Sequence, residues 1–310
     1  LKNVGKLLNY VYLTTKKSMV EDYDKDHCWQ YDIRVRNKDS DLKELIETGF
    51  TKEEIENLKV SDFEFAFEHK KDIWDQAKNF IVKHEWLGKM GLYPTHIFTA
   101  RYRGELAGVV VMDMPNAFSK LLGENTRVVE RLISRGACIS WSPKNLASAL
   151  ISYSMKWMVE HTRFRLFVAY SDVEAKELGT IYQASNFYYI GRSSGAAKQY
   201  QVEDGTWKSD RYFRSRSVYK KKAIEGGIEW QESWQKDSNI LWNNIPDNIE
   251  REIRVLSKKY MLSCPVKTIP KKHKYCFVLG KNKGESRQLR REFEERNNKL
   301  IKPYPKQRGS

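Results

Sequence analysis

Residues 132–170 read LISRGACISWSPKNLASALISYSMKWMVEHTRFRLFVAY, and this stretch decides the fold. Residues 132–141 read as a strand. Pro143 then opens a helix over residues 143–161, in the first turn where the missing N–H costs nothing. Residues 166–170, LFVAY, are a near-continuous apolar run, which predicts a central strand covered on both faces. A strand–helix–strand unit is expected to cross over right-handedly, with its two strands parallel.

Toward the N-terminus, residues 96–102 (HIFTARY) and 106–112 (LAGVVVM) flank Arg103-Gly104-Glu105 and predict a hairpin. Residues 72–87 place Ile73, Trp74, Ala77, Phe80, Ile81 and His84 at helical spacing. Residues 41–58 (DLKELIETGFTKEEIENL) read as two short helices broken at Gly49, with Thr51 and Glu54 as a capping box. The pair resembles a helix-turn-helix, but its second helix is acidic and would repel phosphate, which favours an ordinary helical hairpin. Toward the C-terminus the expected elements are a helix over 174–185, a strand over 187–191, a basic strand over 211–219, a helix over 247–262, a strand over 274–279 and a helix over 285–298. The tail 302–306 (KPYPK) is expected to be extended. The fold class is therefore α/β (α+β), a mixed central sheet flanked by helices. The expected organisation is a helical or mixed N-terminal extension over 1–70, a catalytic core over 71–200 and a basic C-terminal extension over 201–310.

The 310 residues carry 55 Lys+Arg against 40 Asp+Glu, a net charge of +15. Residues 1–200 hold only +3 of this, and residues 201–310, with 26 basic and 14 acidic side chains, hold +12. Such segregation predicts a polyanionic partner, with Arg211, Arg214, Arg216, Lys220, Lys221 and Lys222 as the densest run. Aromatics at 13% argue against a disordered chain. No apolar run approaches the length of a membrane span. Cys28, Cys138, Cys264 and Cys276 are scattered, which predicts reduced thiols in a cytoplasmic protein and no zinc. The first residues show no secretory pattern, and a chain opening on Leu1 is expected to lack its natural start. The glycine-rich phosphate loops and the H-E-x-x-H metal motif are absent from the sequence.

Four places could carry chemistry. Residues 140–146 (SWSPKNL) lie where a strand ends and a helix opens, so Ser142, Lys144, Asn145 and Leu146 are candidates to hold an anion on free N–H groups. Asp172 closes the buried strand at the same sheet end, where it could orient an amine, take its proton or simply cap the next helix. Tyr182, on that helix, could protonate a leaving group or be a packed aromatic. Arg135 on the neighbouring strand needs a partner or a function, and Asp172 is the expected partner. Residues 84–88 (HEWLG) add a titratable pair beside Trp86, the histidine being more often structural than catalytic.

Residues 179–187 (GTIYQASNF), preceded by Tyr170-Ser171-Asp172, resemble the Mom family of phage DNA-modification proteins, and residues 133–138 (ISRGAC) and 142–148 (SPKNLAS) fit its phage members. The Y-x-x-x-G-F segment of GNAT acyltransferases is also visible in Tyr182–Phe187, with Asn186 in place of Gly. The resemblance covers about residues 72–192. It implies a GNAT-like fold and an enzyme that converts adenine in double-stranded DNA to N6-carbamoylmethyladenine, shielding phage DNA from restriction. It also implies that Arg135, Asp172 and Tyr182 are the functional positions, that Ser148 faces them and that the loop before the helix binds an acyl donor. That loop departs from the usual acetyl-CoA pattern, and a carbamoylmethyl group requires an aminoacyl donor or a further amidation. No metal is expected. Adenine must be flipped to expose N6, so Trp86, Trp141 and Tyr170 are candidates to stack on it. The alternatives are a GNAT-like transferase acting on a protein, a tRNA or a small amine, and a DNA-binding phage protein without activity.

Overall fold

The computed structural model describes residues 28–91, 93–115, 117–123, 128–193 and 197–305. The expectations for the chain start and for most of the first half of the 1–70 extension lie outside the described residues, as does the end of the tail. The elements in order are α1 (Trp29–Glu47), α2 (Lys52–Glu56), β1 (Glu64–Glu68), α3 (Lys70–His84), β2 (Pro94–Tyr102), β3 (Glu105–Asp113), β4 (Glu130–Cys138), α4 (Leu146–His161), β5 (Leu166–Ser171), α5 (Thr180–Ala184) and β6 (Tyr188–Arg192). There follow β7 (Ala197–Gln201), β8 (Trp207–Ser209), α6 (Arg216–Glu225), β9 (Gln235–Lys236), β10 (Asn239–Ile240), α7 (Asp247–Ser263), β11 (Val266–Ile269), β12 (His273–Val278) and α8 (Lys283–Asn297). They form two compact units. The first runs to Ser193 and resumes at Lys272; the second is Ser194–Lys271.

The first unit is a mixed α/β layer built on a seven-stranded sheet in the order β1-β2-β3-β4-β5-β12-β6. Its hairpin turns at Arg103-Gly104, both at positive φ, as the sequence predicts. The β4–β5 pair is parallel, from Glu130↔Leu166 to Ile133↔Ala169, while the other neighbours are antiparallel. Past those residues the two strands part. β4 continues against β3 to Gly108↔Cys138, and β5 continues against β12 to Ser171↔His273. The pair is thus parallel, as the strand–helix–strand order predicts, and splayed at its C-terminal end. A bulge in β4 accompanies the split: Val111 faces Arg135 but Met112 faces Ile133, so Ser134 is the extra residue. Ser134 Oγ donates to Val111 O at 3.1 Å and to Asp113 Oδ1 at 2.8 Å.

The apolar run of β5 is explained by cover on both sides. Phe167 and Ala169 join the core beneath α3 and α4, with Ala77, Ile81, Leu150 and Met158. Leu166 and Val168 face the other way, onto Phe293 of α8, Leu121, Cys276 and Val278. The predicted hairpin over 41–58 is present in modified form, the first helix being longer than expected. Thr51 caps α2 by accepting from Glu54 N at 3.2 Å, and Ile55 is buried.

Three local expectations are corrected. The helix predicted over 174–185 shrinks to α5, because Asp172 Oδ1 takes the Glu174 N–H into a turn and Lys176 and Gly179 sit at positive φ. The basic strand predicted over 211–219 is instead a 3-10 turn (Tyr212–Arg214) leading into α6. Its alternation ends where a helical period begins, since Tyr219 and Ala223, four apart, share the core of the second unit with Trp234, Ile245 and Ile253. The third concerns residues beyond 271. β12 fills the edge of β5 and carries β6 on its far side, so residues 272–305 fold with the sheet. The +12 of residues 201–310 is divided accordingly, with +4 on 201–271 and +8 on 272–310.

Candidate active site

The wedge between the parted strands is a cavity of about 610 Å³. β4 supplies Arg135 through Cys138 and β5 supplies Tyr170 and Ser171. The turn after β5 brings Asp172 and Glu177, α5 brings Tyr182, and Lys272 enters just ahead of β12. Glu85 and Trp86 close the side below α3. The N-terminal end of α1 covers the cavity and is tied down there: Gln30 Nε2 donates to His84 O at 2.7 Å, Gln30 Oε1 accepts from Trp86 N at 3.1 Å, and Trp29 meets Trp86 edge-on at 5.2 Å.

Arg135, Asp172 and Tyr182 thus line one cavity, together with Trp86 and Tyr170. The expected Arg135–Asp172 pair is replaced by two others. The bulge at Ser134 precedes Arg135, whose Nε donates to Lys89 O at 2.6 Å and lies 3.9 Å from Glu85 Oε2. Asp172 pairs with Lys272 at 2.7 Å and accepts from Glu174 N at 3.0 Å, so it is a cap as well as a cavity residue. The Tyr182 ring packs 5.4 Å from Tyr275 and 5.3 Å from Phe187. Neither reading of Tyr182 displaces the other, because it is packed and lines the cavity. His84 is structural: it is buried, 3.6 Å from Asp41.

Burial sets the protonation in this cavity. It pushes Glu85 up to about 7, against the pull of Arg135, the Gly88 and Leu87 N–H groups and Lys272. Glu177 is pushed up to about 7 by burial and then by repulsion from Glu85 and Asp172. Burial, with Glu177 and Glu85 nearby, also raises the Tyr182 phenol, so it keeps its proton at neutral pH. The Cys138 thiol is raised by burial to about 12 and is not a thiolate at neutral pH.

A raised carboxyl makes folded Glu85 hold its proton where the unfolded chain, with a value near 4.5, has released it. Stability therefore falls as pH rises between about 4.5 and 7 and stays reduced above. Glu85→Gln removes this burden. Thermal unfolding followed across pH should find the variant more stable than wild type above pH 7, by at most about 3 kcal/mol, with the advantage gone below pH 4.5.

The proposed donor loop is arranged differently from the other candidates. Ser142 is buried with Oγ donating to Ile139 O at 2.8 Å, Leu146 is in the core with its N–H on Pro143 O at 3.1 Å, and Ser148 Oγ donates to Asn145 O at 3.0 Å. Arg34 of α1, which lines the cavity, binds the loop, its Nη2 donating to Ser140 O at 3.1 Å and Ser142 O at 2.6 Å. Lys144 and Asn145 are exposed. Ala147 and Ile151 of α4 line the cavity, and these five residues do not. The loop in which the resemblance placed the donor site thus lies outside the cavity lining. Trp141 is also away from the cavity lining, buried and stacked on Phe63 at 6.2 Å. No cluster of metal-binding side chains occurs among the described residues.

The basic run lies in the second unit, where acids answer much of it. Arg214 pairs with Asp210, Lys220 with Glu232 at 2.9 Å, and Lys221 with Glu203 at 2.7 Å. Lys222 lies 2.7 Å from Glu225, and Arg216 donates to Asp237 O. Arg211 is exposed.

Residues 73–306 match the model of the Mom protein family. The chain belongs to the Mom family. No curated protein matches it. Among solved structures, this Mom chain is similar to a GNAT family acetyltransferase from Elizabethkingia anophelis with acetyl-CoA bound, at 9% identity and TM-score 0.32, covering 70% of this chain and 99% of the other. It is also similar to a putative acetyltransferase from Salmonella typhimurium, at 12% identity and TM-score 0.33, covering 47% of this chain and 88% of that one. A putative acetyltransferase from Acinetobacter baylyi follows at 16% identity and TM-score 0.32, covering 47% and 87%. Among the described residues of the Mom chain, no helix is long and apolar enough to cross a membrane.

Sequence reading missed Glu177 and Lys272 in the Mom cavity. Glu177 lies in a stretch that reads as a helix, where a carboxylate looks solvated. Lys272 follows the whole second unit in the chain, and its neighbours in sequence carry no motif.

Proposed function

We propose that this protein is a DNA-modifying transferase that places a carbamoylmethyl group on N6 of adenine. Membership of the Mom family carries the reading, and the cavity at the split of β4 and β5 supports it. A base flipped from the duplex, at a cost of a few kcal/mol, meets Trp86 and Tyr170 as stacking surfaces. Asp172, held by Lys272, orients the N6 amine and accepts its proton as the new N6–carbon bond forms. Arg135 holds the carbonyl of the transferred group. Tyr182, protonated at neutral pH, delivers a proton to the leaving group as the bond from carbon to that group breaks. The donor must supply the carbon skeleton of that group, and where it does not already carry the amide, the group is amidated on N6 after transfer.

The test is mass spectrometry of nucleosides from the DNA of cells expressing the full chain. A deoxyadenosine heavier by one carbamoylmethyl group is expected, and unmodified DNA would overturn the reading.

The basic residues of the second unit are proposed to hold DNA phosphates. Exposed ion pairs such as Lys221–Glu203 are worth about 0–1 kcal/mol, so a phosphate can replace the acid. Replacing Arg211, Arg214 and Arg216 together with Ala should weaken DNA binding uniformly across sequences. The slope of log affinity against log salt should flatten by about 0.9 for each phosphate that is no longer neutralised. An unchanged slope would make these side chains a solvated surface.

A further inference from the structure

Glu85 is 8% exposed, and its Oε2, though 3.9 Å from Arg135 Nε, is a buried atom with no hydrogen-bond partner among the described residues. A buried carboxyl oxygen left without a hydrogen bond is costly, and ordinarily something pairs with it. Glu85 lines the same cavity as Asp172 and Tyr182, and Trp86, next to it in the chain, offers a stacking face there. The charged and titratable groups around it come from several elements. Arg135 reaches it from β4, Lys272 from the start of β12, and Glu177 from the turn after β5. Tyr182 lies across on α5, and Cys28, Tyr31 and Arg34 line the α1 side of the cavity.

We propose that Glu85 acts as a neutral carboxylic acid that reads the Watson–Crick edge of the flipped adenine, its O–H donating to N1 and its carbonyl oxygen accepting from the N6 amine. This rests on the reading of the protein as an adenine-modifying enzyme and adds the group that recognises the base. The chemistry matches atom for atom. Adenine presents one acceptor beside one donor, and a protonated carboxyl presents one donor beside one acceptor. A carboxylate offers acceptors alone and would face the N1 lone pair. Burial favours the protonated form up to about pH 7, against the pull of Arg135 and Lys272. Asp172, already engaged by Lys272, is left to its separate role at N6.

The experiment measures binding of the full chain, by fluorescence anisotropy, to a duplex with one unpaired adenine and to the same duplex carrying 1-deazaadenine, which lacks the N1 acceptor. Wild type should prefer adenine by roughly 5- to 100-fold, and the preference should fade above pH 7 as the acid ionises. Glu85→Ala should lose the preference at every pH. Glu85→Gln, whose amide also pairs one donor with one acceptor, should restore it and make it independent of pH. In expressing cells, Glu85→Gln should likewise recover modified adenine that Glu85→Ala loses. If Glu85→Gln behaves as Glu85→Ala in both assays, the inference is overturned. It is overturned too if wild type binds the two duplexes alike. Absence of modified adenine in wild-type cells would instead overturn the proposed function, and the binding comparison would still judge Glu85.

Discussion

Tyr182→Phe and Asp172→Asn should each lower the amount of modified adenine by ~10²–10⁴-fold, the usual worth of a positioned acid or base. Tyr182→Phe removes only the oxygen that would protonate the leaving group and keeps the ring that packs on Tyr275 and Phe187. Asp172→Asn keeps an oxygen to cap Glu174 N but removes the charge that Lys272 faces and the site that takes the N6 proton. Both variants should fold and bind DNA as wild type does. The measurement is modified deoxyadenosine per genome, read beside a melting curve and a DNA-binding isotherm for each variant. Wild-type modification by either variant would remove that residue from its assigned role.

Gly179→Ala should damage stability and activity together. Gly179 has φ +67°, and a Cβ there would lie 2.5 Å from Tyr275 Cε2 and 3.1 Å from Ser171 Oγ. Tyr275 is fully buried and cannot swing aside, since its hydroxyl donates to Leu178 O and its ring lies in the core. The left-handed backbone costs an alanine about 1 kcal/mol or more and the overlap ~1–3 kcal/mol, so a loss of about 2–4 kcal/mol is expected from chemical denaturation. The same backbone carries Glu177 and Leu178 into the cavity and starts α5 with Tyr182, so residual folded protein should modify DNA poorly. A variant with wild-type stability would show that the turn tolerates a side chain.

Much of the layer was legible from pattern. The hairpin β2–β3, the β4–α4–β5 crossover and the buried character of β5 follow from periodicities that act over a few residues. Side-chain alternation and apolar continuity report directly how many faces of a strand are covered. Where the local rules misled, a competing interaction within a turn had won. Asp172 and the positive-φ residues Lys176 and Gly179 unwound the helix expected after β5, and the short alternation at 211–219 gave way to the longer helical period of α6.

The site divides along the same line. Sequence alone singled out Arg135, Asp172 and Tyr182 and placed them at one end of the sheet, because strand ends and the turns after them can be counted along the chain. It also identified a surplus of positive charge. Only the tertiary structure decided which side chains became partners: Arg135 with Glu85, Asp172 with Lys272, and Arg34 across the loop where a donor had been expected. It also sent β12 to the edge of β5 and with it divided the basic segment between two units. The physical reason is range. Strand and helix patterns are written in neighbours a few residues apart, whereas Asp172 and Lys272 are brought together only when the β5 edge is closed by a strand that follows it by about a hundred residues in the chain.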